Sequence, residues 1–557
     1  MTRIQRTWQN SCVLWSTQMK LVVVTLLLLV CCTVAVRAQS CLTDDDVKQM
    51  LARVDASPAP TPNKKLREEL IKMADKQREL LLHVVDKDQT KQSDQEKLQK
   101  TYDENIARLC QLIKTHGWPT SATVDHDGVF ATFHILKNAG TYELQRDVLP
   151  VIVAAIKKDP IQKREFAGLY DRLRVSAGMK QLFGTQAVSM GGFLVLYPVE
   201  DEGKLDARRA EYGLPSIDQY MNTLEGTFRK PIIKARQPPS SQLSKQLTDS
   251  LTKAIGETQL GSSDVDPNDV IKTETNLVSL NVSVFSSKLK MFAGSLAKED
   301  FRVQENGQEQ TVTYFASTDV PFDLVLVVDL SGSTHAKRGL IKKSTLRFIE
   351  AARPKDRLAI VTFSGTTNLI SPLTLDRAQL AASVLNMEGG GESHVWDAVK
   401  FALDDVLGPK TLERRRAVVL MTDGVDGILA AKARIAGSKT SLADLVEQVR
   451  QTDALIVPIY LDTEKDFGYS GNSDSYENAR RALNLLAQES GGSYYRAGKI
   501  SDLNGVYEQV INDLGKVYSL GYQPTNATRD STWRQVDVSI VNRTDLVART
   551  RPGYYAQ

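Results

Sequence analysis

Apolar positions along the chain change period from region to region, and each change implies a different architecture. From Cys41 to about Ala235 they recur at helical spacing: Leu66, Leu70, Met73, Leu80 and Leu81 stand among Lys, Glu and Gln as one apolar stripe. A second helix is expected over Ser93–Thr115, ended by Gly117-Trp118-Pro119. Further helices are expected over Leu144–Ile156 and Gln162–Leu173, and a short apolar strand over Gly192–Pro198. Residues 236–270 lose periodicity. With Pro238-Pro239, Gly261-Ser262-Ser263 and Asp266-Pro267 they read as a polar linker. Period two begins at Thr275, where Leu277, Leu280, Val282 and Val284 alternate with polar residues. Asp300–Glu305 and Thr311–Phe315 flank the hairpin signal Asn306-Gly307.

From Phe322 strands and helices alternate. The strand Leu324–Asp329 is almost continuously apolar, as a strand covered on both faces must be. Helix Ile341–Ala352, strand Arg357–Phe363, helices Ala378–Leu385 and His394–Val406 and strand Ala417–Met421 follow. Helix Leu442–Thr452, strand Leu455–Tyr460, helix Glu477–Gln488, strand Tyr494–Arg496 and helix Asp502–Leu514 complete the series. Such alternation predicts a mostly parallel, doubly wound α/β sheet. Strands then return at Val517–Tyr522, Trp533–Val541 and Val547–Tyr555. The chain therefore reads as multidomain. A mainly helical domain (41–235) and the linker (236–270) precede strands of a small β-sandwich (271–320). An α/β domain (321–515) is inserted there before the sandwich resumes (516–557).

Hydrophobic residues make up 42% and charged residues 25% of the 557, an ordinary globular composition. The formal net charge of +3, with both signs mixed along the chain, argues against a nucleic-acid binder. Arg3, Arg6 and Lys20 precede an apolar run, Leu21–Val36, followed by small residues. That run is shorter than the roughly 20 residues a spanning helix needs and suits a signal peptide, residues 1–38, cleaved after Ala38. An uncleaved anchor is the alternative. Export is expected, to a periplasm, the cell surface or the medium. Cleavage leaves Cys41 and Cys110, which an oxidising compartment would join as a disulfide. The rival for Cys41 is lipid modification, against which Gln39 makes a poor lipobox.

In open α/β sheets ligands bind beyond the carboxyl ends of the strands. There the first strand of the α/β domain ends in Asp329-Leu330-Ser331-Gly332-Ser333, and the strand Ala417–Met421 ends in Thr422-Asp423-Gly424. A third loop, Gly389–Ser393, enters the helix beginning near His394. Three loops with oxygen ligands alone suit a hard cation such as Mg²⁺ or Mn²⁺, where thiolate and imidazole would suggest zinc. Gly332 permits a tight loop, and Gly389-Gly390-Gly391 lets backbone approach an ion.

Asp-x-Ser-x-Ser at a strand end, a hydroxyl residue ahead of an Asp-Ala helix start, and Thr-Asp-Gly together resemble the metal-ion-dependent adhesion site of von Willebrand factor type A domains. The resemblance implies Ser331 and Ser333 as direct ligands, and Asp329 and Asp423 as ligands directly or through water. Ser393 takes the place usually held by threonine, and Thr334 stands where methionine is common. The implied cofactor is Mg²⁺ (or Mn²⁺ or Ca²⁺). The implied partner is a protein presenting a carboxylate to the metal, and engagement would shift the last helix. Over residues 270–557 the segments LVSLNVSVF, KEDFRVQENGQ, GGSYYRA, YSLGYQP and RPGYYAQ are similar to the exported VWFA-related proteins abundant in Acidobacteria. In the first half, HGWPT, YDR, QLFGTQ, Pro198–Asp201 and DARRAEYGL resemble an uncharacterised bacterial helical domain family, which brings no activity.

Two other readings compete with metal-dependent binding. An enzyme could use a cleft in the helical domain lined by Asp171, Arg172, Gln186, Arg208 and Arg209, with the α/β domain as its targeting arm. A filled core at those residues would remove that reading. The α/β domain could also be a metal-free part of a structural envelope protein, with Asp329, Ser331 and Ser333 as turn residues and Ser393 as a helix N-cap. Asp426 reads as a turn residue and His335 as a surface residue. The six histidines show no metal-ligand spacing, and no nucleophile elbow, phosphate loop or dinucleotide fingerprint occurs.

Overall fold

The computed structural model describes residues 41–55, 61–85, 92–138, 142–241, 243–258, 277–286, 296–408, 413–427, 437–464, 473–497 and 503–556. The signal segment 1–38 and the Gly261-Ser262-Ser263 stretch lie outside them. The chain divides into two compact units, residues 1–269 and 270–557. Among the described residues no helix is long and apolar enough to cross a membrane.

In the first unit the helices are α1 (Asp44–Asp55), α2 (Lys64–Val85), α3 (Gln92–His116), α4 (Ser121–Lys137), α5 (Tyr142–Lys158) and α6 (Lys163–Ser176), followed by α7 (Leu205–Glu211), α8 (Ile217–Phe228) and α9 (Lys245–Glu257). Leu70, Leu109, Val124, Phe133, Val148, Ile152 and Phe166 meet in one core. Trp118 is buried and donates from Nε1 to Gln162 Oε1 at 2.8 Å, so it anchors the turn after α3. The expected linker contains α9, which Ser244 caps by accepting from the Leu247 amide. Its apolar Leu251 and Ile255 join the helical core. Pro238, Pro239 and neighbouring Ser and Gln residues masked this short amphipathic stripe. The structure joins Cys41 to Cys110 by a disulfide, tying the start of α1 to α3. A small sheet, β1 (Ala187–Met190), β2 (Phe193–Leu196) and β3 (Ile232–Lys234), pairs β2 antiparallel to β1 and parallel to β3.

The second unit combines a six-stranded sheet with a sandwich. Its strands run β4 (Val278–Ser286), β5 (Phe301–Glu305), β6 (Gln308–Gln310), β7 (Val312–Ala316), β8 (Phe322–Asp329), β9 (Arg357–Phe363), β10 (Thr367–Thr374), β11 (Arg415–Thr422), β12 (Leu455–Leu461) and β13 (Tyr495–Ala497). β14 (Val517–Tyr522), β15 (Trp533–Ile540), β16 (Leu546–Arg549) and β17 (Gly553–Tyr555) follow. The helices are α10 (Arg338–Ala351), α11 (Arg377–Leu385), α12 (Val395–Phe401), α13 (Leu442–Gln451), α14 (Ser473–Ser490) and α15 (Leu503–Leu514). The sheet order is β10-β9-β8-β11-β12-β13, parallel except for the antiparallel edge strand β10. Leu324, Leu326 and Val328 of β8 pack with Ile341, Phe348 and Tyr507 from α10 and α15. The intervening Val325 and Val327 are equally buried, so both faces of this strand are covered.

The sandwich has two sheets, β16-β4-β14-β7 and β17-β15-β5-β6, around Leu280, Val282, Val303, Leu520 and Val536. Its strands come from both sides of the α/β unit in sequence, so that unit is inserted into it. The expected single strand Val547–Tyr555 is two strands in different sheets, β16 and β17, separated by Pro552, which has no amide to give a ladder.

Candidate metal centre

β8 and β11 are parallel neighbours in register, Val328 opposite Met421. Their carboxyl ends therefore bring Asp329 and Asp423 to the same sheet edge. Asp329 Oδ1 accepts from the Ser331 amide at 2.9 Å and from Ser331 Oγ at 2.5 Å, while Oδ2 accepts from Thr422 Oγ1 at 2.6 Å. Ser331 Oγ is 3.1 Å from Ser333 Oγ, and the Ser333 hydroxyl also bonds Asp423. Asp423 further accepts from the Val425 amide at 3.2 Å and from Thr463 Oγ1 at 2.8 Å. Both carboxylates are completely buried. Burial pushes each above the ordinary carboxylate range, and the Asp423 charge raises Asp329 further. Lys337 lies within electrostatic reach of Asp423, but its ammonium donates to the Asp462 carbonyl at 3.5 Å.

The third loop is held by backbone contact. Gly332 N–H donates to the Gly391 carbonyl at 3.0 Å, and Gly427 N–H to the Ser393 carbonyl at 2.7 Å. A Cβ at Gly389 would stand 2.4 Å from Leu330 Cβ and 2.6 Å from Leu330 O, so this close approach requires glycine. Gly390 and Gly391 have φ of 145° and 96°, a region costly for any side chain. Ser393 is buried, and its Oγ has no hydrogen-bond partner. It is not an N-cap, since α12 begins after His394 without a side-chain cap.

Residues 324–425 match the von Willebrand factor type A domain.

Residues 65–232 match a second family, described as a family of unknown function (DUF6624). A UPF0353 protein of Nocardia farcinica (strain IFM 10152) is 22% identical over 241 residues, 39% of this chain and 69% of that one. Among solved structures, the vWF domain of the type V pili tip protein Mfa5 from Porphyromonas gingivalis is 15% identical, covering 35% of this chain and 95% of that one with a TM-score of 0.26. The pilus adhesin SpaC from Lactobacillus rhamnosus GG is 10% identical, covering 49% of this chain and 47% of that one with a TM-score of 0.29.

The A domain thus brings four of the five expected residues, Asp329, Ser331, Ser333 and Asp423, into one hydrogen-bonded cluster, with the Ser393 loop tied to the same turns. Among the described residues no group of three or more His, Cys, Asp or Glu could hold a metal, so an ion here depends on the hydroxyls. The donor set fits a hard divalent cation: oxygen throughout, two buried carboxylates, and one buried hydroxyl without another partner. Sequence reasoning quoted Thr422 only as part of Thr-Asp-Gly and missed Thr463; their hydroxyls orient the two carboxylates. Thr334, in the place where methionine is common, is fully buried and donates to the Asp329 and Ser331 carbonyls, both at 3.1 Å, so its hydroxyl closes the turn. Asp426 accepts from the Val395 amide at 2.8 Å and from the Ser438 amide and hydroxyl, both at 2.7 Å, fastening the start of α12. His335 is exposed.

In the helical unit four of the five expected cleft residues are consumed in structure. Asp171 is fully buried and accepts from the amides of Leu182, Phe183 and Thr185 at 2.6, 3.0 and 2.9 Å and from Thr185 Oγ1 at 2.9 Å. Arg209 donates to the Phe183 and Pro215 carbonyls, and Arg208 to the Leu182, Glu200 and Asp201 carbonyls. Gln186 donates to the Gly168 carbonyl at 3.2 Å. These four residues clamp the 181–186 segment and fill its core. Arg172, one position beyond Asp171 on α6, takes no part.

Proposed function

We propose that the A domain holds one divalent cation, Mg²⁺ or Mn²⁺, on Asp329, Ser331, Ser333, Ser393 and Asp423. A coordination position left to water would accept a carboxylate of a protein partner, making the domain a metal-dependent interaction module of an exported protein. The observation that carries this reading is the pairing of two fully buried carboxylates with the partnerless Ser393 hydroxyl. Buried like charges raise each other's cost of ionisation, and a divalent cation between them reverses the sign of that interaction. The hydroxyls keep the site's charge low enough for the ion to retain attraction for an outside carboxylate. The match to the type A domain supports an interaction module. Titration calorimetry of Mg²⁺ and Mn²⁺ into the full chain, beside Asp329→Ala, tests it. Saturable binding abolished in the variant is expected. No binding by folded wild-type protein reduces the cluster to turn chemistry.

A further inference from the structure

The core of the helical unit contains a second polar set that the clamp around Asp171 does not use. Tyr102 on α3 is 8% exposed and its hydroxyl has no hydrogen-bond partner. His134 on α4 is 7% exposed and its Nε2 has none. The Nε atoms of Arg78 on α2 and Arg172 on α6 are likewise buried without a partner. Among the described residues the Arg172 guanidinium meets no carboxylate at all, while Arg78 Nη2 reaches Asp75 at 3.0 Å.

A hydrogen-bonded network runs beside these groups. Asn105 Nδ2 donates to Gln77 Oε1 at 3.0 Å, and Gln77 Nε2 donates to the His134 carbonyl at 3.4 Å, linking α3, α2 and α4. Tyr102 lies one turn before Asn105, and Arg78 follows Gln77. The Arg172 charge acts on the Tyr102 phenol and the Arg78 charge on the His134 imidazole. All four unpartnered atoms are donors or, for the neutral imidazole, become one in the Nε2–H tautomer. A set of donors with surplus positive charge, in which the one carboxylate, Asp75, pairs with Arg78, is complementary to a group that only accepts. The Oε1 of Gln145 on α5 is an unpartnered acceptor, and its Nε2 donates to the Leu136 carbonyl at 2.8 Å.

We propose that Arg78, Tyr102, His134 and Arg172 form a binding site for an oxyanion, the carboxylate or phosphate group of a small molecule. The partly exposed arginines admit the anion, and the buried hydroxyl and imidazole fix its orientation. Buried donors of this kind cost stability when unmatched, and a ligand that matches them recovers it.

Calorimetry and thermal melting of the full chain, with inorganic phosphate and with acetate as probes, test this in wild type, Tyr102→Phe and Arg172→Gln. Saturable binding of at least one probe is expected, and which of the two binds separates phosphate from carboxylate ligands. Tyr102→Phe should weaken it roughly tenfold, about 1.4 kcal/mol, and Arg172→Gln more. In anion-free buffer Tyr102→Phe should melt at or above wild type, because it removes an unpaired buried hydroxyl. No saturable binding of either probe by folded wild type overturns the site. So does binding unchanged in both variants, or a clear loss of anion-free stability in Tyr102→Phe, which would give that hydroxyl a structural partner.

Discussion

Replacing Ser393 with alanine separates stability from ion binding, because the two effects have opposite signs. The Ser393 hydroxyl is buried and bonds to nothing, and α12 draws no cap from it. Burying a hydroxyl without a partner costs about 1–3 kcal/mol. Removing it leaves a void of one oxygen, worth roughly 0.5 kcal/mol at about 24 cal/mol per Å³. Ser393→Ala should therefore stabilise the metal-free protein by about 1–2 kcal/mol, raising the melting temperature of the A domain by roughly 3–6 °C. Its affinity for Mg²⁺ should fall by at least the roughly tenfold that loss of a supporting group around a metal costs. Thermal melting in EDTA and in Mg²⁺ reads both effects on one protein, with calorimetry for the affinity. A variant that melts lower in EDTA while binding Mg²⁺ like wild type would refute the reasoning and make Ser393 an ordinary structural residue.

Other consequences are equally direct. Gly389→Ala drives a Cβ into Leu330, so the loop must move; stability should fall by about 2 kcal/mol and Mg²⁺ affinity with it, both read as above. Asp171→Asn turns a donor toward the Thr185 amide and hydroxyl, and should destabilise the helical unit by about 2–4 kcal/mol in chemical denaturation; an unchanged midpoint would show that the clamp is dispensable. Burial, helped by the charges of Arg78 and Lys137, holds the His134 imidazole down at about 3. Its folded pKa lies below the unfolded 6.5, so the stability it contributes is complete above pH 6.5 and is lost as pH falls toward 3, at up to about 1.4 kcal/mol per pH unit. Denaturation midpoints of His134→Gln should be flatter across that window than those of wild type. Reducing Cys41–Cys110 opens a loop of 69 residues in sequence separation, and should cost the helical unit about 4 kcal/mol on the chain-entropy account, measured by melting with and without dithiothreitol.

How much of this the sequence carries depends on which interactions are local. β8 and β11 announce themselves because a strand covered on both faces must be apolar throughout, and their polar ends then stand out as Asp329-Leu330-Ser331 and Thr422-Asp423. The sandwich is legible in its alternation and in Asn306-Gly307, which turns with both residues at positive φ, 49° and 82°. What stays hidden depends on distant partners. α9 carries few apolar positions, and only the core it meets makes Leu251 and Ile255 decisive. β10 is an edge strand whose Thr367, Asn368 and Ser371 resemble a loop until β9 pairs with them. Asp171, Arg208 and Arg209 look like a catalytic set because charged residues near a turn so often are; their carbonyl and amide partners, 6 to 26 residues away, are what make them structural.

The insertion of the A domain also bears on how a bound partner could act on the rest of the second unit. Both connections into it are short, from Ala316 to Phe322 and from Leu514 to Val517, and the strands they join, β7 and β14, are hydrogen-bonded neighbours. Buried guanidiniums brace the junction: Arg415, opening β11, donates to the Ser317 carbonyl and Ser519 Oγ at 2.6 and 2.8 Å, and Arg551 to the Ser279 carbonyl at 3.1 Å. A shift of α15 along its axis has to carry Val517, which is 1% exposed, within a strand paired on both edges to β4 and β7. Every ladder bond displaced there adds to the cost, so the last helix is a poor lever in this architecture. The strands are a better one. The cluster lies at the carboxyl ends of β8 and β11, and their amino ends, Phe322 and Arg415, sit at the sandwich. On the proposed function, a pull on a partner held at Asp329 and Asp423 would run lengthwise through two in-register parallel strands, where side-chain packing and ladder bonds on both edges would share it, and would reach the sandwich without needing any helix to move.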